Sequence, residues 1–133
     1  MQHELNELSY KVIGCAYKVH TTLAPGLLES TYQTCLEFEL LNEGLKVERE
    51  KALPVVYKGV KLEAGYRIDL LIEDKLIIEI KSVDAVIPIH EAQVMTYLKL
   101  SGKKLALLLN FNVTDMKKGI NRIVLKEYIN ELS

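Results

Sequence analysis

Two runs of sequence, Tyr66-Arg67-Ile68-Asp69-Leu70-Leu71-Ile72 and Leu76-Ile77-Ile78-Glu79-Ile80-Lys81, are joined by Glu73-Asp74-Lys75 and decide how this chain is read. Aliphatic residues on both sides of three polar, turn-prone ones predict a β-hairpin. Side chains alternate between faces along a strand. The apolar even positions, Ile68, Leu70 and Ile72 with Leu76, Ile78 and Ile80, are therefore expected on one face. Arg67, Asp69, Glu79 and Lys81 are expected on the other, together with Ile77. A turn that pairs Ile72 with Leu76 keeps the apolar faces together, and the same register sets Asp69 opposite Glu79 and Arg67 opposite Lys81. Opposed residues bring their Cβ atoms to about 4.5–5.5 Å, where two carboxylates repel unless positive charge lies near. Lys81 or Arg67 could supply it along an exposed face. A hard divalent cation is the natural alternative, since it wants oxygen ligands and commonly takes one or two carboxylates.

Upstream of the hairpin, Leu5, Leu8, Val12, Ala16, Val19 and Leu23 recur at steps of three or four and predict an amphipathic helix over about 3–22, broken by Pro25-Gly26. Leu28, Tyr32, Leu36 and Leu40 predict a second helix that stops at Gly44. Val47-Glu48-Arg49 opens a strand, and Val55-Val56-Tyr57 and Val60-Lys61-Leu62 flank a Lys58-Gly59 turn. Downstream, Pro88 suits the first turn of a helix over 89–101 that ends at Gly102. Lys104 to Asn110 reads as a strand interior to a sheet, Ile120 to Leu125 as another, and a short charged helix is expected to close the chain. This order of elements predicts an α/β fold with a central mixed sheet flanked by helices.

The chain has 133 residues, the size of one domain spanning 1–133. Its net charge of −1 argues against a protein held to nucleic acid by bulk charge. The charge is unevenly spread, however. Residues 99–126 carry seven basic side chains against Asp115 alone, whereas 29–50 carry six acids against Lys46 and Arg49. The basic stretch, with Asn110, Asn112 and Asn121, could contact phosphates or form a solvated rim. The apolar run Leu105–Leu109 is far short of the roughly 20 residues needed to cross a bilayer, so no membrane partner is expected. The first dozen residues lack the apolar block of a secretory signal, which makes the cytoplasm the expected compartment. Cys15 and Cys35 have no zinc-type spacing and are expected to be reduced, buried and apolar in role. No P-loop, zinc finger or dinucleotide fingerprint is present, and no aromatic platform for stacking single strands is legible.

Two further groups bear on the acid pair. Glu29 lies in Gly26-Leu27-Leu28-Glu29-Ser30-Thr31-Tyr32, where a first-turn acid would also complement the helix dipole. His90, Gln93 and Tyr97 follow one another at steps of three and four and form a polar stripe on the third helix. A helical Glu, a strand Asp, Glu-x-Lys on the next strand and Gln-x-x-x-Tyr on the following helix resemble the PD-(D/E)XK nuclease superfamily. The segments GLLESTY, LPVVYKGVKLEAGYRIDLLIEDKLIIEIKSVD and HEAQVMTYLKLSG are similar to the GxxExxY family within it, over roughly residues 5–125.

That resemblance implies a restriction-endonuclease-like core acting as a Mg²⁺- or Mn²⁺-dependent nuclease on DNA. Asp69 and Glu79 would ligate the metal with the backbone carbonyl of Ile80, and Glu29 would hold it directly or through water. Lys81 would orient the attacking water and offset transition-state charge, with Gln93 and Tyr97 positioning the lysine or the phosphate. Ile68 stands where some branches carry the motif's proline. Sequence specificity, where there is any, would come from a partner or a homodimer. The rival readings are an inactive nuclease-fold module for nucleic-acid binding or assembly, and a nuclease for RNA or branched structures.

Overall fold

The computed structural model describes residues 2–63 and 65–132. Helices α1 (Gln2–Leu23) and α2 (Glu29–Asn42) come first, followed by strands β1 (Val47–Ala52), β2 (Val55–Tyr57), β3 (Val60–Leu62), β4 (Arg67–Ile72) and β5 (Leu76–Lys81). Helix α3 (Pro88–Ser101), β6 (Leu105–Asn110), β7 (Ile120–Val124) and a short α4 (Ile129–Leu132) complete the chain. Five strands form one mixed sheet in the order β1-β4-β5-β6-β7, and β2 and β3 form a separate two-stranded sheet. All of its pairs are antiparallel except β5 with β6, between which α3 carries the chain back so that both strands run in the same direction. This is a restriction-endonuclease-like arrangement, as expected.

The sheet separates two cores. On one side Leu5, Leu8, Val12, Ala16 and Val19 of α1 and Tyr32, Leu36 and Leu40 of α2 cover the even-numbered aliphatics of β5 and the odd-numbered ones of β6. On the other, Val94, Tyr97 and Leu98 of α3 cover Leu71, Ile77, Ala106 and Leu108. Every residue of β6 is buried, because it is both interior to the sheet and covered on both faces. The stripe on α2 begins at Tyr32 and not at Leu28, which sits just before the helix and is exposed. Both cysteines are free; Cys15 is buried as expected, but Cys35 is only half-buried.

The β4–β5 turn adopts the expected register, with Ile72 opposite Leu76, Leu71 opposite Ile77 and Leu70 opposite Ile78. Glu73 and Asp74 both take positive φ, which closes a three-residue loop. The expected alternation along β4 does not hold throughout. Ile68 was expected on the face of Leu70 and Ile72, yet it packs with Leu71 under α3 while Leu70 and Ile72 pack under α1 and α2. The alternation slips at Asp69. Across from it on β1, Arg49 pairs with Leu70 and Lys51 with Ile68, while Glu50 between them is left out of the ladder at φ +52°, a conformation that non-glycine residues adopt at a cost.

Candidate active site

The slip at Asp69 opens the far end of the hairpin. Pairing between β4 and β5 ends at Leu70 and Ile78, and side-chain oxygens occupy the next positions. Asp69 Oδ2 accepts the Ile80 backbone N–H at 2.8 Å, and Glu79 Oε1 accepts the Asp69 N–H at 3.3 Å. Each acid thus holds the strand of the other, in place of a backbone carbonyl. The Ile80 N–H, turned toward β4, puts this stretch of β5 backbone against Asp69.

Glu79 is only 6% exposed, and burial with the adjacent Asp69 charge pushes its pKa up to about 9. Burial likewise raises Asp69; Glu50 adds to the rise, while the Ile80 N–H and Lys81 oppose it. Tyr97, buried on α3, is raised by its burial and then by the charges of Glu79 and Asp69. Two acids packed this closely cannot both be ionised without a compensating cation. A shared proton or a metal ion would satisfy them equally, and Lys81 follows Glu79 at the next odd position. All the donors here are oxygens, which suits a hard ion. Among the described residues no group of three His, Cys, Asp or Glu gathers around a point. The side-chain set is then two carboxylates, within what Mg²⁺ accepts when water and phosphate fill the remaining positions.

Glu29, the first residue of α2, does not join the pair. Its Oε2 accepts the N–H of Ser82, one residue past Lys81, at 3.3 Å. Ser82 Oγ donates to the Leu27 carbonyl at 2.6 Å, and the Tyr32 hydroxyl accepts from Leu27 N–H at 3.1 Å while donating to Ala24 O at 2.6 Å. Tyr32 stacks on Phe111 with ring centroids 4.7 Å apart. The GLLESTY segment is therefore a latch that ties the start of α2 to the end of β5. Gln93 is exposed and its Nε2 donates to the Tyr97 hydroxyl at 3.3 Å. His90 is occupied at the start of α3, where its Nδ1 accepts the Ile87 N–H.

Two residues that sequence reasoning passed over belong to this region. Buried Gln33 donates through Nε2 to Glu50 Oε2 at 2.7 Å and to the Asp69 carbonyl at 3.2 Å. It bridges α2 to both distorted strands. The available signal was its position four residues after Glu29, on the same face of α2. Glu50 had none beyond being one acid of an alternating strand. The asparagines for which phosphate contact or a solvated rim stood open make contacts within the fold: Asn110 is buried and brackets Val83 through both amide atoms, Asn112 donates to Asp84, and Asn121 donates to Leu108 O and Gly119 O. Of the basic stretch, Lys103 pairs with Asp74, Lys104 with Glu131, and Arg122 donates to Asn6.

Residues 6–123 match the family model of the PD-(D/E)XK nuclease superfamily. This chain belongs to that superfamily. No curated protein and no solved structure matches it significantly. Membership points to a nuclease with nucleic acid as its substrate, and it gives the acid pair of the hairpin a chemical context. Among the described residues no helix is long and apolar enough to cross a membrane.

Proposed function

We propose that this single-domain chain is a Mg²⁺- or Mn²⁺-dependent deoxyribonuclease whose active site is the open end of the β4–β5 hairpin. The observation that carries the reading is the reciprocal grip of Asp69 and Glu79 on each other's strands, with Lys81 immediately beyond. Their carboxylates and the Ile80 carbonyl would hold the cation. When bound, the ion supplies water of lowered pKa and positive charge for the scissile phosphate. Binding it would displace the proton held by the acid pair into solvent, so the pair that is uncomfortable alone would become a charged cradle. The Lys81 ammonium orients the attacking water and offsets charge that builds on the phosphate oxygens in the transition state. Gln93, exposed beside Tyr97, steadies the phosphate, while Tyr97 keeps its phenol protonated and available as a donor.

Glu29 acts on the same reaction by fixing the Ser82 backbone, and through it the direction of Lys81; a water between its carboxylate and the ion would be compatible with that placement. The closer assignment to the GxxExxY family is part of this proposal and is supported by the latch that GLLESTY builds. Plasmid and single-stranded DNA incubated with Mg²⁺ or Mn²⁺ test it. The wild-type chain is expected to cleave and Glu79→Ala is expected not to. Equal cleavage by both would place the activity elsewhere. Calorimetric titration with Mn²⁺ separates an enzyme from a nuclease-fold scaffold: binding lost in Asp69→Ala is expected of the former.

A further inference from the structure

The β2–β3 hairpin lies outside both cores of the protein. Its register pairs Val55 with Leu62 and Tyr57 with Val60, so these four share a face, and Val56 and Lys61 share the other. Tyr57 is 62% exposed, Val60 59% and Leu62 44%. A two-stranded hairpin is marginal on its own, and contiguous exposed apolar surface marks a contact site.

Charge indicates what the contact is with. The tip is Lys58-Gly59, both at positive φ, and the Lys58 ammonium lies 5.4 Å from the centroid of the Tyr57 ring. Lys61 adds a second cation, and between residues 53 and 66 Glu63 is the one acid, 3.5 Å from Lys61. The root of the hairpin is at the acid pair. Leu53 N–H donates to the Tyr66 carbonyl at 2.9 Å, closing the stem. Tyr66, 46% exposed, meets Tyr97 edge-on at 6.4 Å, and Asp69 follows three residues later. An aromatic and cationic arm thus projects from the rim of the candidate site.

We infer that this hairpin is a substrate arm that takes hold of unpaired nucleic acid, with bases stacked on Tyr57 and Tyr66 and phosphates met by Lys58 and Lys61. Stacking on tyrosine needs a free base face, so the arm favours single-stranded or frayed segments over intact duplex. The inference rests on the nuclease reading of the neighbouring site and names the substrate class that site receives.

Fluorescence anisotropy in chelator, with a labelled single strand and its duplex, reads binding without cleavage. The wild-type chain is expected to hold the single strand more tightly. Tyr57→Ala is expected to weaken that binding about tenfold, with a much smaller change on duplex, and Lys58→Ala to lower the slope of log affinity against log salt by about one. Tyr57 is exposed, and an unchanged thermal midpoint confirms folding of the variant. Equal single-strand affinity in wild type and Tyr57→Ala overturns the inference. So does sedimentation showing that Tyr57→Ala dissociates a dimer while nucleic-acid affinity stays the same, because the face then belongs to a second copy. Failure of the nuclease reading looks different: single-strand binding through Tyr57, with no cleavage in Mg²⁺ or Mn²⁺, keeps the arm and removes the hydrolysis.

Discussion

The two ends of the β4–β5 hairpin differ in what fills the space between their strands. Near the turn, Leu70, Leu71 and Ile72 face Ile78, Ile77 and Leu76 across a regular ladder, and all six side chains are buried in the two cores. A few ångströms along, the ladder gives way to carboxylates that accept backbone N–H groups, Ile68 changes face, and Glu50 takes a left-handed conformation. The first end spends its residues on burial, which stabilises. The second holds a buried acid pair, which costs stability unless neutralised. A rigid apolar end supporting a polar, distorted one is how a fold holds reactive groups in an arrangement they would not adopt alone.

The contrast is tested most severely at Glu79. Replacing it with glutamine keeps its shape, and the carboxyl is already neutral at pH 7 without a cation. Cleavage is expected to fall about a thousandfold or more, while the thermal midpoint in chelator holds steady; a collapse of that midpoint would make Glu79 a structural group. At the other end the signs reverse. Ile77→Ala, at a fully buried position, should cost about 2–5 kcal/mol in denaturant unfolding and leave cleavage per folded molecule intact. A loss of cleavage without loss of stability there would erase the division between the ends.

The pH dependence sharpens the same point. In the cation-free protein Glu79 keeps its proton up to about pH 9, whereas the unfolded chain releases it near the usual 4.5. Between those values the folded state binds the extra proton, so this contribution to stability is complete below about pH 4.5 and fades as pH rises toward 9. The charged and titratable groups facing it are Asp69, Lys81 and Tyr97. A midpoint that declines over this range in chelator, and declines less in Glu79→Gln, is expected; superimposable profiles would mean the acids are not buried together. The smallest effect is expected at Gln33. Gln33→Ala removes two hydrogen bonds, at about 1–2 kcal/mol, and is expected to reduce cleavage about tenfold through Glu50 and the Asp69 backbone, with Gln33→Glu failing to rescue because it would meet Glu50 as a like charge.

Much of the fold was legible because its signals are local. Period-two alternation in 66–81, the i+4 spacing of Tyr32, Leu36 and Leu40, and Gly44 and Gly102 after their helices all report on neighbours in sequence. The acid pair was legible for the same reason, since one turn sets its register. The slip that sends Ile68 to the other face was not, because it depends on which backbone N–H each carboxylate takes. The exposure of Leu28 and Cys35 was not either, since it depends on where helix α2 starts and which parts of it its neighbours cover.

Sequence alone determined that Asp69, Glu79 and Lys81 share one end of a hairpin, because a short turn allows few registers and one of them keeps apolar faces together. Only the tertiary structure decided that Glu29 clasps Ser82, that Gln33 joins Glu50 to Asp69, and that Tyr57 and Tyr66 stand open at the rim. Those relations span 17 to 53 residues of chain or depend on what fails to pack. Contacts of that kind are selected by the competition of the whole molecule for burial, which no local pattern records.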